Sequence, residues 1–193
     1  MRVFAALPLP PTAVEAISRT IASLRLRFPS LRYVSSKGMH LTLHFFGELP
    51  DEAVAGLRAL FKDPELSRPA IEASFAAIGG FPQRGAPRVI HVGIAKGGEE
   101  LAEYWRLFHS KIVPLSRLGG EEANWRPEER GFSPHITLAR AGRERLAGNS
   151  LDGTEGPSME FTFSELVLFR SILKPHGSEY IPLEVIHFNG AAR

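Results

Sequence analysis

Cysteine is absent from the 193 residues, which excludes disulfides, Cys-bound zinc and a thiol nucleophile together. The cytoplasm is the compartment this usage suggests. Long apolar runs are missing too, since nothing approaches the roughly 18–20 residues of a membrane helix. The N-terminal Val3-Phe4-Ala5-Ala6-Leu7 stops at Pro8, too short for a signal-peptide core and suited to a first strand. No membrane association is expected. There is also no run of five or more basic residues, and the net charge is only +2 with a pI near 9.1. Such a balance tolerates an anionic substrate but lacks the clustered Lys and Arg of a surface that coats nucleic acid. Any nucleic acid is expected to be gripped locally. The remainder, 44% apolar and 23% charged, is ordinary globular composition, enough for one sizeable core or two lobes sharing one.

What is present is a repeat. Met39-His40-Leu41-Thr42-Leu43-His44-Phe45-Phe46 alternates with the period of a half-buried strand. Strict alternation puts Leu41, Leu43 and Phe45 on one face and His40, Thr42, His44 and Phe46 on the other. Residues two apart on a strand point the same way, so an imidazole and a hydroxyl stand side by side, roughly 6–7 Å apart at the backbone. His135-Ile136-Thr137-Leu138 repeats the pattern 95 residues later, close to half the chain. With 7 His and 6 Thr in 193 residues, about 0.2 His-x-Thr triplets are expected by chance. Two, each followed by Leu and each in strand-like alternation, therefore carry information.

Residues 2–7 predict a strand. Thr12 with Glu15 three residues on reads as a capping box opening a helix, its apolar stripe Val14, Ile17, Ile21 and Leu24 and its end at Pro29. A short strand over 31–34 and a turn over 35–38 lead into the first His-x-Thr strand. Asp51 is the expected N-cap of a second helix. Strands are expected over 70–78 and 88–95 with a loop at 79–87, then a helix after Gly97-Gly98 and the second His-x-Thr strand. Residues 142–158, with four Gly, read as a mobile surface loop. Two strands over 161–172 and 180–188 end the chain. Strand, helix and His-x-Thr strand thus occur over 2–46 and again over 88–140, with a pair of strands expected after each unit. No linker divides them. The pattern predicts an α+β fold of two pseudo-symmetric lobes, each a mainly antiparallel sheet with helices on its outer face and a central groove between. Residues 1–193 are read as a single domain with two interleaved lobes.

If each lobe presents its pair to that groove, two imidazoles flank one bound atom. In-line displacement at phosphorus needs this, because attacking and leaving oxygens lie roughly opposite. A neutral His takes a proton from water while a protonated one gives a proton to the departing oxygen. Thr42 and Thr137 are placed to donate hydrogen bonds to the non-bridging oxygens. This chemistry calls for no cofactor and no metal. His40 and His44 have the i, i+4 spacing of a helical zinc pair, but the β pattern argues against that reading. Arg130 and Phe132 are candidates to hold a phosphate and stack a base. Arg140 falls opposite His135 under strict alternation and reads as a strand-end charge. His91, His109, His176 and His187 read as ordinary surface or half-buried residues, Trp105 as core and Trp125 as a loop anchor.

Here the chain resembles the RNA 2′,3′-cyclic phosphodiesterases, also called 2′-5′ RNA ligases, of the 2H phosphoesterase superfamily. The resemblance rests on the two His-x-Thr motifs, on Arg2-Val3-Phe4-Ala5-Ala6, Phe45-Phe46-Gly47-Glu48 and Gly79-Gly80-Phe81-Pro82. It continues through Arg130-Gly131-Phe132-Ser133-Pro134, Ala139-Arg140 and Leu168-Phe169-Arg170-Ser171. It implies metal-independent opening of terminal 2′,3′-cyclic phosphates on RNA to 2′-phosphates, with His40 as proton donor to O3′ and His135 as the base that activates water. Joining of RNA ends resembles the reverse, a 5′-hydroxyl replacing water. The implied partner is RNA with a cyclic-phosphate end, and a monomer is expected. Two departures stand out: His44 lies where the family more often has Lys or Arg, and Gly131 where Pro or Lys is commoner. Two other readings fit the residues. One is a phosphodiesterase of small cyclic nucleotides or 2′-5′ oligonucleotides; the other is a non-catalytic protein that binds RNA ends.

Overall fold

The two His-x-Thr segments become neighbouring strands near the middle of one sheet. The structure is a computed structural model that describes residues 1–117, 131–142, 146–147, 150–174 and 177–190. In chain order the elements are β1 (Arg2–Pro8), α1 (Pro11–Arg27), β2 (Arg32–Tyr33), β3 (His40–Glu48), α2 (Asp51–Leu60) and β4 (Ile71–Phe81). They continue with β5 (Val89–Ile94), α3 (Gly98–Ile112), β6 (His135–Arg140), β7 (Glu160–Phe163), β8 (Glu165–Lys174) and β9 (Gly177–His187). The sheet runs β7-β4-β5-β6-β3-β1-β8-β9, with β2 added on β6. Every strand pair in it is antiparallel. This is the α+β architecture expected from the repeat.

The ladder between β3 and β6 holds one partner pair, Leu41 with Ile136, and the sheet divides there into halves. The duplicated units are β1-α1-β3 and β5-α3-β6. Their flanking strands do not follow the expected order. β4, which comes after the first unit, pairs with β5 of the second, and β8 at the far end of the chain closes on β1. The stretch expected as one strand over 161–172 breaks at Ser164, because β7 pairs with β4 in one half and β8 with β1 in the other. A strand cannot belong to two ladders running apart, so the chain changes halves at that residue. β4 also runs on through Gly79 to Phe81, where a loop was expected, because Gly79, Gly80 and Phe81 keep partners on β5.

One face of the sheet is apolar. Val3, Ala5, Leu7, Leu41, Leu43, Ile90, Val92, Ile136 and Leu138 join the stripes of the three helices in one core cluster. Truncating such a residue to Ala costs about 2–5 kcal/mol. α1 contributes Ala13, Ile17, Ile21 and Leu24, and α3 contributes Leu101, Tyr104, Phe108 and Ile112. The helix starts differ from expectation. Pro10 and Pro50 are the N-caps of α1 and α2, and neither end has a side-chain cap bond. Proline's fixed φ already matches the entry geometry, so Thr12 and Asp51 fall inside the first turns. Glu15 bonds Arg19 instead, at 2.7 Å. The described part of 142–158 is tied down: Leu151 is buried, Thr154 accepts the Ile78 amide at 2.9 Å, and a Cβ on Gly156 would meet the Ala76 carbonyl oxygen at 2.1 Å. Among the described residues, no helix is long and apolar enough to cross a membrane.

At the head of α3, Gly97 has φ +82°, and a Cβ there would lie 2.4 Å from the Glu72 carbonyl oxygen, whereas Gly98 has open space. Gly97→Ala is expected to destabilise by more than about 1 kcal/mol, while Gly98→Ala stays neutral or gains a few tenths. Equal urea midpoints for the two variants would refute this account of the turn.

Candidate active site

The Leu41–Ile136 pair sets the site. Antiparallel strands run opposite ways, so one step either side of that pair His40 is brought toward Thr137 and Thr42 toward His135. With Leu41 and Ile136 fully buried, all four polar residues fall on the other face, in the groove. Thr42 and His135 indeed line one cavity of about 680 Å³, and His40 and Thr42 an adjoining one of about 390 Å³. His40, Thr42 and His135 therefore line one connected groove, and the register sets Thr137 opposite His40.

Each imidazole is anchored the same way. His135 Nδ1 lies 2.8 Å from the carbonyl oxygen of Ser133, two residues back. A carbonyl can only accept, so Nδ1 carries the proton and Nε2 keeps its lone pair. The His40 ring makes its backbone hydrogen bond to Gly38, again two residues back. Phe4 packs 4.9 Å from the His40 ring and Tyr180 stands edge-on at 5.3 Å. Burial, and to a smaller extent the charge of His135, push His40 down to about 4 against the lift from Gly38.

Strict alternation fails at the fourth residue of each motif. Ala6 pairs with Thr42 and Ala5 with His44, leaving Leu43 as an extra residue. His91 pairs with Thr137 and Ile90 with Ala139, leaving Leu138 extra. Each bulge reverses the faces beyond it. Phe45 and Arg140, the fifth residues after their histidines, thereby enter the groove, where both line the cavity around His40. Arg140 is a groove residue, not an opposite-face strand-end charge. His44 turns inward to 3% exposure, its ring 4.7 Å from Phe46 and 6.2 Å from His109 of α3. It does not share the face of His40, so the two cannot act as an i, i+4 ligand pair.

The structure adds residues that the sequence reading passed over. His91 is half-buried beside His135, with ring centroids 5.2 Å apart, and stacks on Phe81 at 4.2 Å. Its ring occupies space that a Cβ on Gly79 would crowd at 3.2 Å. Burial, then the charge of His135, push His91 down to about 4. The repeat held the signal, because His91 faces Thr137 on β5 as Ala6 faces Thr42 on β1. Trp105 is half-buried and packs against the core, but its ring also reaches the groove. It stacks within 3° of parallel on Phe132, and both line the cavity with His135. Phe132 thus reaches the site, whereas Arg130, Trp125 and His176 lie outside the described residues. His187 pairs with Glu165 at 3.4 Å on an exposed strand end.

Beside this geometry, a family model of the 2′-5′ RNA ligase superfamily matches residues 10–174. The chain belongs to the 2′-5′ RNA ligase superfamily. An RNA 2′,3′-cyclic phosphodiesterase of Thermus thermophilus is 36% identical over 198 residues, spanning 98% of this chain and 91% of that protein. One from Archaeoglobus fulgidus is 27% identical over 187 residues, spanning 96% and 99%. Among solved structures, TT0787 of Thermus thermophilus superposes with a TM-score of 0.77 at 28% identity across the whole of both chains. Escherichia coli LigT shares the fold, with a TM-score of 0.73 at 23% identity over 97% and 96% of the two chains. The resemblance drawn from the doubled motif therefore holds at the level of family and fold.

In this superfamily member the inward turn of His44 has a consequence for stability. Burial, then the charge of His109, push its imidazole down to about 4. The unfolded chain binds the proton near pH 6.5, so stability present above that pH is lost as pH falls toward 4. His44→Phe is expected to remove about 2 kcal/mol of the stability loss between pH 7 and 4.5. Urea melts of both proteins at the two pH values measure this, and an unchanged difference would contradict the neutral buried imidazole.

Proposed function

We propose that this protein hydrolyses RNA 2′,3′-cyclic phosphate ends to 2′-phosphomonoesters, with His40 and His135 as a paired acid and base and no metal in the reaction. The observation that carries the reading is the crosswise placement of the two couples, His40 toward Thr137 and Thr42 toward His135, around the buried Leu41–Ile136 pair. The names of its relatives in Thermus and Archaeoglobus support the substrate.

His135 holds its Nδ1 proton against Ser133 and presents Nε2 as the base. It takes a proton from water as the oxygen attacks phosphorus. The P–O3′ bond breaks, and protonated His40 delivers its proton to O3′. The products are a 3′-hydroxyl and a 2′-phosphate, with the net proton restored by exchange between the two rings and solvent. Burial keeps His40 neutral in the empty groove, and a phosphodiester anion set between the rings supplies the countercharge that favours its protonated form. Thr42 and Thr137 donate to the non-bridging oxygens, where charge grows in the transition state. Phe132, stacked on Trp105, offers a platform for the terminal base, and Arg130 completes the phosphate contacts in this reading. Run in the same direction with a 5′-hydroxyl in place of water, attack on phosphorus with departure of O3′ forms a 2′-5′ link.

His40→Ala and His135→Ala are each expected to lower kcat by about 10²–10⁴-fold on a cyclic-phosphate-ended oligonucleotide, with thermal midpoints near that of the parent. Turnover is expected to persist in EDTA. Thr→Val at either motif should lower kcat more than it raises KM. Near-parental rates in either His variant, or loss of activity in EDTA, would sink the mechanism; binding of the oligonucleotide without any turnover would instead favour an RNA-end binding protein.

A further inference from the structure

The groove continues past the two histidines, and its two ends differ in chemistry. On the His135 side the cavity of about 680 Å³ is walled by Phe45, Phe81, Trp105 and Phe132, with a single cation, Arg88, on its lining among the described residues. On the His40 side the cavity of about 390 Å³ holds Arg2 and Arg140 and opens past Arg140, Ser178 and Tyr180 into a further chamber of about 750 Å³. That chamber is lined by Lys37, Arg140, Lys174 and Glu179. Lys174 is paired with Glu179, so those two charges cancel. Lys37 and Arg140 are exposed, and among the described residues neither has an ion-pair partner. The chamber therefore presents two uncompensated cations. Their position is built into the site, because Lys37 belongs to the turn Ser36–Gly38 that bonds the His40 ring, and Arg140 is delivered by the bulge at Leu138.

A nucleotide whose 2′,3′-cyclic phosphate sits between the histidines has two other substituents to place. The base leaves the ribose at C1′ and the rest of the chain leaves at O5′. An aromatic chamber suits the first and a cationic chamber the second.

We propose that the chamber beyond His40 is a subsite for the backbone phosphates upstream of the cyclic end, held by Lys37 and Arg140. It selects the ends of RNA chains over free cyclic mononucleotides. The inference rests on the hydrolytic reading above and adds to it the part of the substrate that is not chemically changed. Single-stranded phosphates release counterions on binding, so each contact contributes a slope of about −0.7 in log affinity against log salt.

The test compares kcat/KM for a 2′,3′-cyclic-phosphate-ended tetranucleotide and the matching cyclic mononucleotide across 50–300 mM salt, for the parent and Lys37→Ala. The parent is expected to prefer the tetranucleotide by about tenfold or more, with the steeper salt slope. Lys37→Ala is expected to cut the tetranucleotide value severalfold, to affect the mononucleotide much less, and to flatten the tetranucleotide slope by about 0.7. Equal losses on both substrates would show that Lys37 acts only through the turn beneath His40, and no loss on either would show no contact; each result overturns the proposal. Absence of turnover on both substrates by the parent would sink the hydrolytic reading instead. Anisotropy of a labelled tetranucleotide ending in a 2′-phosphate, with the nucleoside 2′-phosphate as competitor, then reads the subsite by binding alone.

Discussion

The contact on which this site depends contains no chemistry: Leu41 packed in register with Ile136, both at zero exposure. Side chains on a strand alternate with a period of two, so a slip of one residue would send a whole set of groups to the other face. Here the slip would bury His40, Thr42, His135 and Thr137 and expose the leucines beside them. Burying those polar groups without partners is far more costly than exposing the leucines, so the apolar pair holds the hydrophilic ones in place. The joint between the two halves is narrow, a single partner pair, yet it lies between all four groups. The rest of the sheet supports it. β1 braces β3 from one side and β5 braces β6 from the other, and the helices of the two repeated units cover the apolar face behind.

Much of this was legible because the signals were local and repeated. Alternation identified the strands, helical spacing identified the stripes of α1 and α3, and the second His-x-Thr triplet gave the first its meaning. The misreadings have one physical source. A bulge inserts a residue with no compositional mark, since Leu43 and Leu138 look like any other inward leucine. Residues beyond each bulge were therefore assigned to the wrong face: Phe45 and Arg140 were placed away from the groove they line. The strand exchange was hidden for a different reason. Which ladder a flanking strand joins is a long-range choice, and β4 and β8 have no local feature that names their partners. Trp105 was read as core because helical periodicity does not distinguish a stripe facing a buried sheet from one whose last ring reaches a groove.

The duplicated halves have diverged in what they offer. Equivalent positions after the bulges carry Phe45 on one side and Arg140 on the other, and equivalent positions opposite the threonines carry Ala6 and His91. A symmetric site would hold a phosphorus atom equally well in either sense. Unequal fifth residues and one additional imidazole break that symmetry, giving the groove a direction. A chain-end substrate has a direction as well, with a base on one side of its terminal ribose and the polymer on the other.

The same asymmetry bears on which imidazole holds the proton. Burial depresses His40, and the neighbouring charge of His135 depresses it further, so the rings resist being protonated together. In an empty groove the cheapest state has His40 neutral. An anion placed between the rings reverses that preference, because it is attracted to an imidazolium and costs energy beside a neutral ring in a dry site. In the proposed mechanism the acid is therefore assembled by the substrate it acts on. Ser133 adds the complementary constraint by holding the Nδ1 proton of His135, which leaves the Nε2 lone pair free, as the proposed base requires. Two residues of the same kind, anchored by the same type of bond, sit in different surroundings, because only one lies against Phe4 and Tyr180. The other lies against His91 and Phe81.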